Sequence, residues 1–283
     1  MNSHTVMYGV IGDPIHHSKS PIMLTRAFKE AGMNAAYAAF HIAPDKLEAA
    51  VRGIKALGFG GINVTIPHKQ AIMPLLDDID DDAREIGAVN TVVIKDGKLI
   101  GYNTDGIGYV RSLKEETGFR IQGKRLLLIG AGGAARGVAY ALSREQPAAI
   151  HIANRTLERA DELARDIGRF AECRGHAADS MNDLPPMDLI VNTTSVGMHP
   201  DTSRLPVDEA WLNRQIGVGT TVSDLVYNPL TTAFLAAAAR RGARTHSGLG
   251  MFIYQGAYAF EYWTGLSAPV AAMRDEVERS LQL

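Results

Sequence analysis

The chain has 283 residues, 46% hydrophobic and 21% charged, with 28 glycines and 12 prolines, a globular composition that excludes disordered, collagen-like and coiled-coil classes. At ~150 residues per domain the length allows about two domains with a sizeable core. Twenty-nine basic against 31 acidic residues leave a net charge of −2, so no global basic field points to nucleic acid or an anionic membrane.

The first segment, MNSHTVMYGVIGDP, lacks the basic, apolar and small-residue order of a signal peptide and opens instead on an apolar strand, Val6 to Ile11. A helix from Pro21 to about Ala31, an extended stretch from Ala35 to His41, a helix from Pro44 to Leu57 and the strand GGINVTIP follow. The run Asp77, Asp78, Asp80, Asp81, Asp82 lacks the glycine and terminal glutamate of a calcium loop and reads as a solvated helix start. In NTVVIKDGKLIGYN, Asp96-Gly97 between two β-rich arms signals a hairpin, because a type I′ turn needs φ > 0 at both central residues. The first sheet is therefore predicted to be mixed.

A second βαβ series begins after a helical segment, Gly108 to Thr117. It runs through strand KRLLLIG, helix Ala134 to Ser143, strand AAIHIAN, helix Leu157 to Ile167, strand MDLIVNT and strand TTVSDLV, the alternation of a doubly wound sheet. The alanine run Ala236 to Ala239 reads as helix. Two amphipathic patterns, Met251 to Trp263 and Pro269 to Leu281, end the chain without further strands and are assigned back to the first domain. The fold class is α/β with two domains: a mixed-sheet domain over 1–105 plus 248–283, and a doubly wound Rossmann domain over 106–247. Cys173 is the only cysteine and cannot form an intrachain disulfide, and no apolar run approaches ~18 residues, so a reducing, cytoplasmic setting without membrane insertion is expected.

The sharpest motif is LLLIGAGGAARG. An apolar strand runs into Gly130-Ala131-Gly132-Gly133-Ala134-Ala135 and then a helix, the G-x-G-x-x-A pattern whose glycines admit a pyrophosphate to free N–H groups at the helix N-terminus. The next strand ends in Asn154, Arg155 and Thr156, with Arg159 one turn on, where an NAD site would offer a carboxylate. Two guanidinium groups suit a 2′-phosphate, so NADP is favoured over NAD; the alternative is that both arginines merely solvate a helix start.

In GDPIHHSKSPIM, Ser20 before Pro21 is a natural N-cap, whereas Ser18 has no such role; either both hydroxyls face one ligand or Ser20 caps the helix. His16 and His17 lack metal-ligand spacing and read as loop residues. Asn63 and Thr65 alternate around Val64 and share a face. Lys69 stands at a helix start, where a cation opposes the dipole, which leaves it either functional or an ordinary surface lysine. Asn90 precedes the hairpin, and Asp105 after it either serves chemistry or caps the next helix.

Taken together, GDPIHHSKSP, NVTIPHK, GAVNT, GYNTDG, GAGGAARG, NRTLER, VNTTSVGM, DLVYNP and GLGMFIYQGAYAFEYWTG resemble the shikimate dehydrogenase family over nearly the whole chain. The resemblance implies an NADP-dependent oxidoreductase acting reversibly on 3-dehydroshikimate and shikimate, in the route to chorismate and the aromatic amino acids, with no metal. It implies Lys69 and Asp105 as the catalytic pair. Ser18, Ser20, Thr65, Asn90, Tyr227 and Gln255 become substrate contacts with Asn63 nearby, and Gly130 to Ala134, Asn154 to Arg159, Leu225 and Gly248 the cofactor side. Where the family often carries a His-Asn pair after the SP dipeptide, this chain reads Ile22-Met23-Leu24-Thr25, a change expected to affect packing more than chemistry. A quinate or mixed quinate/shikimate enzyme is the close alternative. A non-catalytic NADP-binding sensor is the different class, disfavoured by the presence of both Lys69 and Asp105. The partner is expected to be a small-molecule substrate, and the assembly a monomer or homodimer.

Overall fold

The computed structural model describes residues 1–281. By contact density the chain divides into two compact units, Met1–Thr104 with Ile253 onward, and Asp105–Phe252.

The first unit contains β1 (Val6–Gly12), α1 (Ser20–Glu30), β2 (Ala35–His41), α2 (Leu47–Ala56), β3 (Gly61–Val64), α3 (His68–Ala71), β4 (Asp78–Ile79), α4 (Asp81–Ile86), β5 (Thr91–Lys95) and β6 (Lys98–Tyr102). Its sheet order is β2-β1-β3-β5-β6-β4. β1 pairs parallel with β2 and β3, whereas β5 runs antiparallel to both β3 and β6, so the sheet is mixed as the hairpin signal required. Asp96 and Gly97 take φ of 51° and 71°, the left-handed pair that closes a two-residue turn. Ile11, Ile62, Val64, Val89, Val92 and Leu99 pack beneath the apolar stripe of α2, Leu47, Val51 and Ile54. Trp263 lies over the bare face of Gly61, where a Cβ would sit 2.1 Å from the indole nitrogen, and that nitrogen donates to the Val92 carbonyl at 3.0 Å.

The acidic run does three separate jobs. Asp80 caps α4, its Oδ1 accepting the Asp82 amide at 3.1 Å, and Asp81 and Asp82 fill the first turn. Asp78 pairs with Arg84. Asp77 accepts from Lys55 Nζ and the Leu99 amide, and these partners hold its carboxyl below the usual range.

The second unit contains α5 (Asp105–Thr117), β7 (Arg125–Ile129), α6 (Gly133–Ser143), β8 (Ala149–Asn154), α7 (Leu157–Ile167), β9 (Cys173–Ala177), β10 (Leu189–Asn192), α8 (Glu209–Gln215), β11 (Thr221–Asp224), α9 (Ala233–Arg240) and β12 (Arg244–His246). All six strands are parallel in the order β12-β11-β10-β7-β8-β9. Read from β9 this is 3-2-1-4-5-6, the doubly wound order, with its reversal between β7 and β10. Leu126, Leu127 and Leu128 are fully buried because helices cover both faces of such a sheet. α5 and α6 approach closely: a Cβ on Gly106 would lie 2.2 Å from the Gly137 carbonyl oxygen.

α10 (Gly248–Thr264) and α11 (Val270–Leu281) complete the chain, and α11 packs against α1. The division between units falls between Phe252 and Ile253, inside α10, because the helix runs on unbroken past the Gly248 turn. β9 and β12 are absent from the predicted strand list. β9, CRGHA, has mixed polarity, and β12 has only three residues, so neither carries an apolar run to read. Among the described residues no helix is long and apolar enough to cross a membrane.

Candidate functional site

In the first unit the predicted polar residues gather where β1 and β3 end and the antiparallel β5 begins. Contrary to the cap expectation, Ser20 does not cap α1. Lys19 is the N-cap of α1 and makes no side-chain cap bond, while Ser20 is already helical and buried. The hydroxyl that meets the helix backbone is that of Ser18, which accepts the Ser20 amide at 3.3 Å. Ser20's own hydroxyl is directed to the buried phenol of Tyr37, whose pKa burial drives well above the ordinary tyrosine value. Tyr37 in turn donates to Asn63 Oδ1 at 2.7 Å.

From Asn63 the chain of contacts continues. Its Nδ2 donates to the Asn90 carbonyl at 3.3 Å and to Thr91 Oγ1 at 3.2 Å, and Thr91 donates to Asn90 Oδ1 at 3.0 Å. Asn90 Nδ2 donates to Thr104 Oγ1 at 3.0 Å, the Thr104 amide returns to Asn90 Oδ1 at 2.8 Å, and Thr104 Oγ1 donates to the Gln255 carbonyl at 3.1 Å. Leaving any one of these buried groups unpaired would cost about 1–3 kcal/mol, so the network fixes each side chain in one orientation. Thr65 lies just past β3, its methyl so near Gly12 that a Cβ there would fall 2.5 Å from it. Lys69, half-buried on the one-turn helix α3, is anchored by its carbonyl, which accepts the Val89 amide at 2.8 Å next to Asn90. Tyr37, Thr91 and Thr104 were not among the predicted site residues. Thr91 and Thr104 sit inside motifs already singled out, but a lone tyrosine in AAYAAF carries no readable signal.

His16 and His17 occupy the loop after β1, where the His16 ring meets that of His41, itself paired with Asp13 at 2.7 Å. Met23 and Leu24 are fully buried on α1 and Thr25 is exposed, so at 23 and 24 the departure places apolar side chains in the core. Met23 reaches Gly256 of α10, where a Cβ would lie 2.2 Å from its Cε.

In the second unit the cofactor candidates collect at the carboxyl ends of β7, β8 and β11. Gly130 has φ of 114°, and a Cβ there would strike Thr193 Oγ1 at 2.6 Å, so both conformation and space demand glycine. Ala131 is half-buried; Gly132, Gly133 and Ala134 are exposed, and Cβ atoms built on the two glycines would meet nothing within 4 Å. Gly132 caps α6 without a side-chain bond, which leaves the first amides of the helix facing open space that suits a pyrophosphate. Asn154 Nδ2 donates to the Thr156 carbonyl at 2.9 Å and shapes the turn into α7. Arg155, Thr156 and Arg159 are exposed, and neither arginine enters an ion pair among the described residues.

Asp105 opens α5, immediately after Thr104. At the end of β11, Asp224 is fully buried; burial pushes its carboxyl up to about 6, although it accepts from Thr232, the Val226 amide and Asn192 at 2.7 to 3.0 Å. That knot holds the following Leu225 in place. Gly248 crosses it so tightly that a Cβ would lie 2.1 Å from the Leu225 carbonyl oxygen. Gly248→Ala is therefore expected to lower stability by about 1–3 kcal/mol, read as a fall in Tm, because the obstacle is backbone and cannot swing aside. Tyr227 stacks on Phe252 with ring centroids 4.8 Å apart. Cys173 lies away from these residues, and burial pushes its thiol up to about 12, so it is not a thiolate at neutral pH.

Three stretches of the chain match known families: residues 10–92 the shikimate dehydrogenase substrate binding domain, 112–203 shikimate / quinate 5-dehydrogenase, and 248–278 the shikimate 5'-dehydrogenase C-terminal domain. The shikimate dehydrogenase (NADP(+)) of Geobacillus kaustophilus is 47% identical over 276 residues, covering 98% of this chain and 99% of the relative. Among solved structures, a shikimate dehydrogenase in complex with NADP+ superposes with a TM-score of 0.91 at 43% identity, covering 99% of this chain and 97% of the other. Shikimate 5-dehydrogenase from Listeria monocytogenes, in complex with shikimate and NAD, gives 0.92 at 35% identity, with 98% of each chain covered.

Proposed function

The chain belongs to the shikimate dehydrogenase family, and on that footing we propose that it reversibly reduces 3-dehydroshikimate to shikimate with NADPH, a step toward chorismate and the aromatic amino acids. The observation that carries this reading is the single buried network joining Tyr37, Asn63, Asn90, Thr104 and the Gln255 carbonyl, which fixes amide and hydroxyl groups suited to a polyhydroxylated acid. In this reading the first unit carries most of the substrate residues and the second the cofactor residues, with Tyr227 of the second unit also assigned to the substrate. Ser18, Ser20, Asn63, Thr65, Asn90, Tyr227 and Gln255 serve the substrate. Gly130 to Ala134, Asn154, Arg155, Thr156, Arg159, Leu225 and Gly248 serve the cofactor.

When bound, NADPH supplies the hydride that adds to the carbonyl carbon. The carbonyl oxygen then needs a proton. Lys69 and Asp105 serve as the acid–base pair: Lys69 delivers that proton, so that C=O plus hydride plus proton becomes CH–OH, and takes it back in the reverse direction. The amides of α6 and the forks of Arg155 and Arg159 bind the phosphates and orient the nicotinamide end.

Substrate choice tests this reading. Quinate bears an extra hydroxyl and a puckered ring at the carbon carrying the carboxylate, where shikimate is flat, and the Ser18 and Ser20 hydroxyls favour the slimmer acid. Shikimate is expected to exceed quinate in kcat/KM by roughly 10 to 200-fold with NADP, because a pocket rejects an added hydroxyl only modestly. Ser18→Ala should raise KM for shikimate. Parallel assays of both acids with NADP and with NAD decide it: quinate turnover equal to or above shikimate turnover would make the protein a quinate or mixed quinate/shikimate enzyme.

A further inference from the structure

Within the second unit one imidazole ties together three of the segments that carry its candidate residues, those leading to Asp105, Leu225 and Gly248. His246, the last residue of β12, has a side chain with no exposure at all. Its Nδ1 lies 2.9 Å from Ser223 Oγ on β11, and its Nε2 lies 3.0 Å from Ser112 Oγ on α5. Ser112 Oγ also donates to the Tyr109 carbonyl at 2.9 Å. With that hydrogen committed, Ser112 can only accept from the ring, which places a proton on Nε2; in the neutral ring Nδ1 is then the acceptor of the Ser223 hydroxyl.

The surroundings reinforce this order. Glu116 Oε2, one turn along α5 from Ser112, stands 3.8 Å from Nε2, and the Tyr109 ring meets the imidazole edge-on at 5.6 Å. The start of α10 presses on the same spot: a Cβ on Gly250 would lie 2.3 Å from Glu116 Oε1 and 2.7 Å from the Ser112 Cβ. At the other end of β12, Arg244 Nη1 donates to the Thr117 carbonyl at 2.6 Å, so β12 grips α5 at two points, nearly one and a half turns apart along the helix.

We propose that His246 is a positioning residue for the dehydrogenase reaction, locking α5, and with it Asp105, to the β11 end at Leu225 and the α10 start at Gly248. Asp105 is the first residue of α5, and Ser112 lies two turns further on the same helix, so a shift of α5 along β12 moves the carboxylate directly. Leu225 follows Ser223 by two residues and Gly248 follows His246 by two. One side chain therefore sets the register of the carboxylate against the cofactor-side backbone. This rests on the reading of Asp105 given above.

The test is the pair His246→Leu and His246→Gln in the full chain. Leucine removes both hydrogen bonds; glutamine restores an N–H donor at the position of Nε2 toward Ser112. His246→Leu is expected to lower kcat by roughly 10 to 100-fold, the scale of a small misplacement of a reacting group, with KM for 3-dehydroshikimate and Kd for NADP within about threefold of wild type. His246→Gln should recover most of kcat. Hydrogen exchange at the amides of the first turn of α5 should quicken in the leucine variant and slow again in the glutamine variant, a readout independent of turnover. Should His246→Leu fail to fold, Ser112→Ala severs only the α5 end of the link and is expected to show the same fall in kcat without a change in KM. A folded His246→Leu with wild-type kcat and wild-type exchange in α5 overturns the proposal. So does a loss of kcat that glutamine leaves unrepaired. If the wild-type protein itself does not turn over 3-dehydroshikimate, the assignment of the reaction falls instead, and the exchange measurement alone decides whether His246 braces α5.

Discussion

Lys69→Ala is expected to lower kcat by roughly 10²–10⁴-fold, the range for removal of a positioned acid or base, while Kd for NADP stays within about twofold of wild type. The side chain stands on a helix of one turn, α3, whose geometry is enforced from outside: the Lys69 carbonyl accepts the Val89 amide, and the buried His68 ring bonds to the Ile42 carbonyl at 2.7 Å. Alanine leaves those backbone contacts in place, so the fold should persist and Tm change little. What disappears is the proton donor for the new alkoxide in reduction and the acceptor in oxidation. Steady-state rates in both directions, with NADP binding measured by fluorescence titration, check the split. A variant with near-normal kcat would return Lys69 to the role of an ordinary surface lysine.

Replacing Arg155 and Arg159 together by serine is expected to weaken NADP by roughly 10²–10⁴-fold and NAD by less than about threefold. Each arginine contributes charge-assisted bonds to a 2′-phosphate that NAD lacks, at about 1.5–3 kcal/mol per bond, and about 1.4 kcal/mol is tenfold in affinity. Both side chains are exposed at the start of α7, so their loss exposes no core and should not alter stability. Titration of each cofactor against the double variant separates the two roles of arginine. Equal weakening of NADP and NAD would make these residues structural.

The second sheet was legible wherever a strand is buried on both faces. LLLI, IHIA and LIVN announce themselves as apolar runs, and their spacing by amphipathic helices fixes the parallel order. The edges were not legible. β9 reads CRGHA because an edge strand is half wet, and β12 is three residues whose pairing comes from its neighbour rather than from its own side chains. In the first unit the turn at Asp96-Gly97 foretold the antiparallel pair, since few residues accept a positive φ. The individual polar groups were partly legible. Asn63, Asn90 and Thr65 stood out as polar residues in strand-like sequence, whereas Tyr37 looks in sequence like any core aromatic and shows its role only through its hydroxyl contact with Asn63. Ser20 misled for a physical reason: Ser-Pro is a sound cap signature, but the chain enters α1 one residue earlier, with Lys19 in the helical region at φ −91° and ψ −1°, which turns Ser20 inward.

As a lone histidine in ARTHSG, His246 offers no signal in sequence, and only the approach of α5 and β11 makes it a link between them.

The most direct measurement of the central claim is the stoichiometry of the full reaction: purified protein with 3-dehydroshikimate and NADPH, following nicotinamide absorbance while the product is identified by NMR. The account predicts one shikimate formed per NADPH consumed, reversal on adding shikimate and NADP, and slow turnover when NADH replaces NADPH. NADPH consumption without shikimate, or no consumption at all by a folded protein that binds NADP, would contradict it.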